Sequence, residues 1–155
     1  MAQPGGAMVR AVVRADFEQW LPLWQGYNAF YGRAGDTALP THITDMTWAR
    51  FFDACEPVHA LVAECDGRLV GLAHYLFHRT TIGIEPTCYL QDLFTAPQRR
   101  GTGVGRALIN AVYERARLAG SARVYWLTHE SNATAMKLYD QMAQLSGFVV
   151  YRKQL

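Results

Sequence analysis

Several things are scarce in this chain, and each shortage closes off a class of protein. Of 155 residues three are cysteine: Cys55, Cys65 and Cys88, odd in number, far apart and with no C-x-x-C pair. That excludes a disulfide framework and points to free thiols in a reducing compartment, the cytoplasm. Each reads as a small buried hydrophobe. No run approaches about 18 consecutive apolar residues, so no membrane-spanning helix is expected. Met1 to Ala7 lacks the apolar stretch of a secretory leader and, with Pro4, Gly5 and Gly6, reads as a flexible tail. Charge is nearly balanced: 15 Lys and Arg against 13 Asp and Glu leave a net +2. That is too little to signal nucleic acid or an anionic membrane as a partner. His74 and His78 are four apart, but in a strand-like run that spacing separates them by about 13 Å. With no H-E-x-x-H and no cysteine beside them, no metal site is expected.

What is present is apolar and periodic. Half of the residues are hydrophobic, enough for a single domain from 8 to 155 without staples. Val9–Arg14 reads as a strand. Asp16 is placed to cap a helix through Phe17, Leu21, Trp24 and Tyr27, with Pro22 early enough to be tolerated. Thr44 or Asp45 is placed to cap a second helix containing Met46, Trp48, Phe51 and Phe52. Strands follow at His59–Glu64 and Arg68–Phe77, joined by the hairpin signal Asp66-Gly67, with Gly71 a candidate bend or bulge. Cys88–Thr95 is a fourth strand. Val104, Leu108, Ala111 and Val112 make one apolar stripe of a third helix, which Ala119-Gly120 stops. Arg123–Thr128 reads as a fifth strand. A fourth helix from Ala133 carries Ala135, Leu138, Tyr139 and Met142 on one face and ends by Gly147, and Phe148–Arg152 is a final strand. The order βααβββαβαβ predicts an α+β fold around one mixed sheet.

The most informative segment is Gln98-Arg-Arg-Gly-Thr-Gly-Val-Gly-Arg-Ala-Leu108. It lies between a strand and a helix. Glycines let the backbone approach a ligand closely, and the first-turn N–H groups of the helix point at an anion. Arg99, Arg100 and Arg106 add charge at the same end. An ATPase-type loop needs Gly-Lys-Ser/Thr, but the chain has Gly105-Arg106-Ala107. A dinucleotide loop needs G-x-G-x-x-G and an acidic residue about 20 positions on, where Arg123 and Val124 stand instead. What remains is Gln/Arg-x-x-Gly-x-Gly/Ala, met by Gln98, Gly101 and Gly103. A tight strand-to-helix turn is the alternative use of such glycines.

With this loop, Asn132 and Tyr139 seven positions later, and the segments Trp24–Tyr31, Tyr89–Phe94 and Val124–Asn132, the chain resembles the GNAT superfamily of N-acetyltransferases. Within it, the chain resembles the histone and polyamine acetyltransferase subgroup. The resemblance implies splayed strands four and five and acetyl-CoA as co-substrate. It implies coenzyme contacts from the backbone of Leu93, Phe94 and Thr95, from Arg99, Arg100, Gly101, Thr102, Gly103, Val104, Gly105 and Arg106, and from Asn132. It makes Tyr139 the general acid beside the sulfur. An acceptor pocket would be edged by Trp24, Tyr27, Phe30 and Tyr31 of the first helix, with Gln91, Asp92, His129 and Glu130. The aromatic residues suit an ammonium group, and serve equally as packing.

The chemistry asks for a base. An alkylammonium with a pKa of about 10.4 is roughly one part in a few thousand free amine at pH 7. Polyamine-acetylating relatives have a glutamate where this chain has Gln91, which takes no proton. Asp92 is the nearest carboxylate, yet neighbouring strand residues point to opposite faces, so Asp92 replaces Gln91 only if a bulge intervenes. A water chain ending at Asp92, Glu130 or His129 is the expectation. The expected activity is acetyl transfer to a primary amine: a polyamine-like or amino acid-like small molecule, or a lysine of a basic protein. A coenzyme A-binding regulatory domain without turnover is the alternative. An edge strand at 148–152 invites pairing between two copies, a homodimer.

Overall fold

The computed structural model describes residues 6–155. Most of the expected tail lies outside the described residues, although Ala7 packs against the core. The elements are β1 (Met8–Ala11), α1 (Phe17–Phe30), α2 (Thr41–Arg50), β2 (Val58–Cys65), β3 (Arg68–His78), β4 (Thr87–Thr95), α3 (Val104–Leu118), β5 (Val124–Tyr125) and α4 (Ala133–Met142). They form an α+β fold around one five-stranded sheet in the order β1-β2-β3-β4-β5. The first four strands pair antiparallel, and β4 pairs with β5 in parallel.

Alternation along the strands divides the core in two. Leu61 and Ala63 of β2 join Ala73 and Tyr75 of β3 and the α3 stripe Val104, Leu108, Ile109 and Val112. Ala60 and Val62, one residue out of phase, join Leu72, Phe94 and the α1 residues Trp20, Leu23, Trp24 and Tyr27. The period of two thus places α1 on one face and α3 on the other. Two glycines permit close approach. A Cβ on Gly26 would lie 2.7 Å from the Phe94 ring, and one on Gly71 would lie 2.9 Å from Val104. Gly71 follows a register shift in the β2–β3 ladder, so the expected irregularity is there.

Several expected boundaries are corrected. Asp16 stands at the start of α1 but makes no hydrogen bond to its amides. Its carboxylate accepts instead from Arg10 at 2.7 and 2.9 Å and from the Val13 amide at 2.8 Å. The stronger partner, a guanidinium, wins over free helix N–H groups. β1 accordingly ends at Ala11, where the chain turns toward that pair. α2 starts after Pro40, ahead of Thr44 and Asp45, and Phe51 and Phe52 fall just beyond it. α4 stops at Met142, well before Gly147.

The expected strand at 148–152 is not a strand. Phe148 is 90% exposed and Tyr151 94%. β-propensity is satisfied only by a neighbouring strand, and nothing in this copy supplies one. β5 is likewise two residues long where Arg123–Thr128 was expected. Cys65 and Cys88 are buried as expected, but Cys55 is exposed; all three are free.

Candidate active site

β4 is the element from which the site is built. Cys88 and Leu90 belong to the α3-side core, and plain alternation would send Asp92 there too. The ladder prevents it. His74 of β3 faces Asp92 and Tyr75 faces Leu90, which leaves Gln91 as an extra residue. This bulge is the condition under which Asp92 can serve in place of Gln91. Asp92 is carried to the α1 side and is 9% exposed, while Gln91 faces solvent.

On that side Asp92 meets a partner that the sequence did not disclose. His74 Nδ1 lies 2.9 Å from Asp92 Oδ2, and His74 Nε2 accepts from Trp20 Nε1 at 3.1 Å. An indole N–H only donates. His74 Nε2 therefore carries no proton, Nδ1 does, and the neutral imidazole donates to the carboxylate. His74 is 1% exposed and Trp20 0%. Nothing in the sequence around His74 signals this role. The relevant pairing is across the ladder, 18 residues apart.

Tyrosines surround the other side of the carboxylate. Burial first, and then the neighbouring Asp92 charge, push the phenols of Tyr27 and Tyr31 upward. Tyr139 is pushed up to about 12 by burial and, secondarily, by Tyr31. The structure thus brings Asp92, Tyr27 and Tyr31 together, with Tyr139 of α4 within electrostatic reach of Tyr31. Tyr139 keeps its proton at neutral pH. Its ring also packs on Trp126, with centroids 5.3 Å apart. Trp24 is buried, donates to Thr44 Oγ1 at 3.2 Å and stacks on Trp20 and Tyr27. Phe30 is 57% exposed.

The β4–β5 pairing consists of Cys88↔Val124 and Tyr89↔Tyr125 only. Beyond Tyr89 the two strands separate, as expected, and the β4 backbone of Leu93, Phe94 and Thr95 has no ladder partner on that edge. The glycine loop follows. Gly101 and Gly103 adopt φ of +74° and +89°, and a Cβ at either would meet nothing within 4 Å. Glycine is therefore required there by the left-handed backbone, not by crowding. Gly105 differs: its Cβ would lie 3.3 Å from Leu138, so it seats α4 on α3.

Ala107 donates to the Gly103 carbonyl. The amides from Gly103 to Arg106 are therefore those of the first helical turn, which have no acceptor within the helix. Thr102 Oγ1 donates to the Arg99 carbonyl at 2.6 Å and closes the loop. The guanidinium groups are engaged locally: Arg99 with Cys65 Sγ, Arg100 with the Thr95 carbonyl, and Arg106 with Gln141.

The remaining expected residues lie on the turn before α4. Asn132 Nδ2 donates to Thr128 Oγ1 at 3.1 Å. His129 pairs with Ser131, and both His129 and Glu130 are exposed, with no recorded contact to Asp92. Among the described residues no group of His, Cys, Asp and Glu is arranged to hold a metal ion.

A sheet that opens beyond a short parallel pair, next to a glycine loop that starts a helix, defines a class of acyl-transferring enzymes. The acetyltransferase (GNAT) family matches residues 20–143. The chain belongs to that family and is an acetyl-CoA-dependent acyltransferase. It is 36% identical over 148 residues to the D-amino-acid N-acetyltransferase HPA3 of Saccharomyces cerevisiae, covering 94% of this chain and 89% of that one. It is 26% identical to an uncharacterized N-acetyltransferase, YhfO, of Bacillus subtilis, covering 92% and 94%. Among solved structures, a putative acetyltransferase from Agrobacterium tumefaciens superposes with a TM-score of 0.79 at 23% identity, covering 96% and 99% of the two chains. An aminoglycoside N-acetyltransferase in complex with CoA gives 0.77 at 20%, covering 99% and 98%. These two likenesses concern the fold.

Proposed function

We propose that the chain, acting as one catalytic unit over 8–155, transfers the acetyl group of acetyl-CoA to a primary amine. The single observation that carries the mechanism is the bulge at Gln91, which turns Asp92 toward Tyr27 and Tyr31. The coenzyme's diphosphate would rest on the amides between Arg100 and Gly105, and its pantetheine amides on the open edge of β4 at Leu93 and Thr95. The fit is supported by the free first-turn amides and by the open space over Gly101 and Gly103. Coenzyme A supplies an activated acetyl group as a thioester.

Asp92, held by His74, takes the proton from the ammonium so that the nitrogen lone pair is free. That nitrogen attacks the thioester carbonyl, and a tetrahedral intermediate forms. A backbone N–H of Leu93 or Phe94 stabilises its oxygen. The carbon–sulfur bond then breaks, Tyr139 gives its proton to the departing thiolate, and the extra proton on the former amine nitrogen passes through water to the Tyr139 phenolate, which leaves the neutral amide; Asp92 returns its proton to solvent. The products are an acetamide and the free thiol.

Acceptor candidates are an amino acid-like amine, a polyamine-like amine and a protein lysine. The relative named as a D-amino-acid N-acetyltransferase supports the first. Three free cysteines support a cytoplasmic setting. The exposed apolar segment Phe148–Tyr151 supports a homodimer that covers it. The test is release of free thiol from acetyl-CoA across a panel of amino acids, polyamines, aminoglycosides and lysine peptides. Thiol release stimulated by none of these amines would overturn the proposal.

A further inference from the structure

The chain turns back at the end of α1. Gly32, with φ of +78°, returns Arg33 to the helix, where its amide donates to the Asn28 carbonyl at 2.9 Å. Arg33 Nε donates to Asn28 Oδ1 at 2.7 Å. Asn28 is itself 4% exposed and donates from Nδ2 to the Trp24 carbonyl at 2.8 Å. A buried amide therefore fixes the direction of a half-buried guanidinium. Arg33 Cζ lies 5.9 Å from the ring centre of Tyr27 and 5.6 Å from that of Tyr31. Among the described residues no carboxylate pairs with Arg33, and neither Nη has a hydrogen-bond partner. The two tyrosines feel charges of opposite sign: Asp92 acts to raise both phenols and Arg33 to lower both. A cation and an anion thus act on the same pair of rings, the cation within 6 Å of both.

We infer that Arg33 is a carboxylate anchor of the acceptor site, and that the amine acetylated here carries a carboxylate close to its nitrogen, as an α-amino acid does. The two free Nη groups form a planar fork that matches a carboxylate. Asp92 marks the amine end, so the inference rests on the reading of Asp92 given above. A polyamine would set a second ammonium against Arg33, which costs affinity. Specificity of this kind is a difference between acceptors, not overall affinity.

The experiment compares an α-amino acid in both enantiomers, its carboxamide, the decarboxylated amine and spermidine. kcat/KM is measured for the wild type, Arg33→Gln and Arg33→Lys, with far-UV circular dichroism as a folding check. The same ligands are titrated calorimetrically into the coenzyme A-loaded protein. The expected result is that one enantiomer of the acid exceeds its carboxamide by about ten- to hundredfold, that Arg33→Gln abolishes this ratio, and that Arg33→Lys restores part of it. A wild type indifferent between acid and carboxamide, a preference for spermidine, or a ratio unmoved by Arg33→Gln overturns the anchor and leaves the acetyltransferase reading intact. Calorimetric preference for the acid, lost in Arg33→Gln, with no amine acetylated, upholds the anchor and overturns the catalytic reading. Binding of none of the ligands overturns both.

Discussion

His74 donates from Nδ1 to Asp92 across the β3–β4 ladder at 2.9 Å, and it does so as a neutral imidazole because Trp20 occupies its other nitrogen. One carboxylate oxygen is thereby fixed, and the other is left to the tyrosine side of the site. A carboxylate held this way is oriented by the core of the fold and not by a mobile loop.

Asp92→Asn is expected to lower kcat/KM at pH 7 by about 10² to 10⁴ while coenzyme A affinity is retained. The deficit should shrink as the pH approaches the amine's own pKa of about 10.4, because free amine then needs no base. A deficit independent of pH would remove Asp92 as the base. His74→Phe should lower kcat in the same direction and destabilise the protein by about 2–4 kcal/mol in urea unfolding, since Trp20 and Asp92 both lose a buried partner.

Tyr139, pushed up to about 12, should stay protonated throughout the working range. Tyr139→Phe is expected to reduce kcat by about 10² with coenzyme affinity little changed. The wild-type profile should show no loss below about pH 11 that the phenylalanine variant lacks. The raised pKa also sets a sign for stability. Its contribution is complete below the unfolded value of about 10 and is lost as the pH rises through the folded one.

Gly103→Val forces a branched side chain into a left-handed backbone at the start of α3. The cost is about 1–2 kcal/mol of stability. Calorimetric affinity for coenzyme A should fall with it, whereas Gly105→Ala should act mainly on the packing of α4 through Leu138. Equal and unchanged affinities in both variants would detach the loop from the diphosphate.

Asp16 is held below the usual carboxylate range, chiefly by its hydrogen bond from Arg10. Asp16→Asn should cost about 1–3 kcal/mol near neutral pH. A lowered folded pKa contributes stability above the unfolded value of about 3.9 and loses it as the pH falls through the folded one. Parallel unfolding curves should therefore converge below about pH 4.

Replacing Val149 and Tyr151 by lysine should leave the fold unchanged, since both side chains are exposed. In sedimentation the wild type is expected as a dimer and the double variant as a monomer. A monomeric wild type would remove the homodimer.

Much was legible along the chain because it is encoded by local periodicity. The α3 boundaries, Val104–Leu118, follow from one apolar stripe after a left-handed glycine, and β2 to β4 follow from alternation and a two-residue turn. The glycine turn between β4 and α3 could be placed by spacing alone, since the backbone conformation it needs depends on which residues are glycine. Asn132 and Tyr139 were found by likeness, not by geometry.

The rest depended on contacts between distant segments. Phe148–Tyr151 has the composition of a strand but no strand beside it, and β5 shortens because β4 diverges after Tyr89. Asp92 could be named from sequence as a candidate carboxylate. Whether it faced the α1 side hung on one unpaired residue at Gln91, and register is fixed only when β3 docks. His74 was invisible for the same reason: Asp92 and Trp20 stand 18 and 54 residues away, and folding, not chain order, brings them near. The sequence by itself therefore determined the elements up to α3, the glycine loop and the family, which rest on spacing and local conformation. The tertiary structure alone decided which face Asp92 presents and what holds it there, because side-chain direction past a bulge is set by cross-strand pairing.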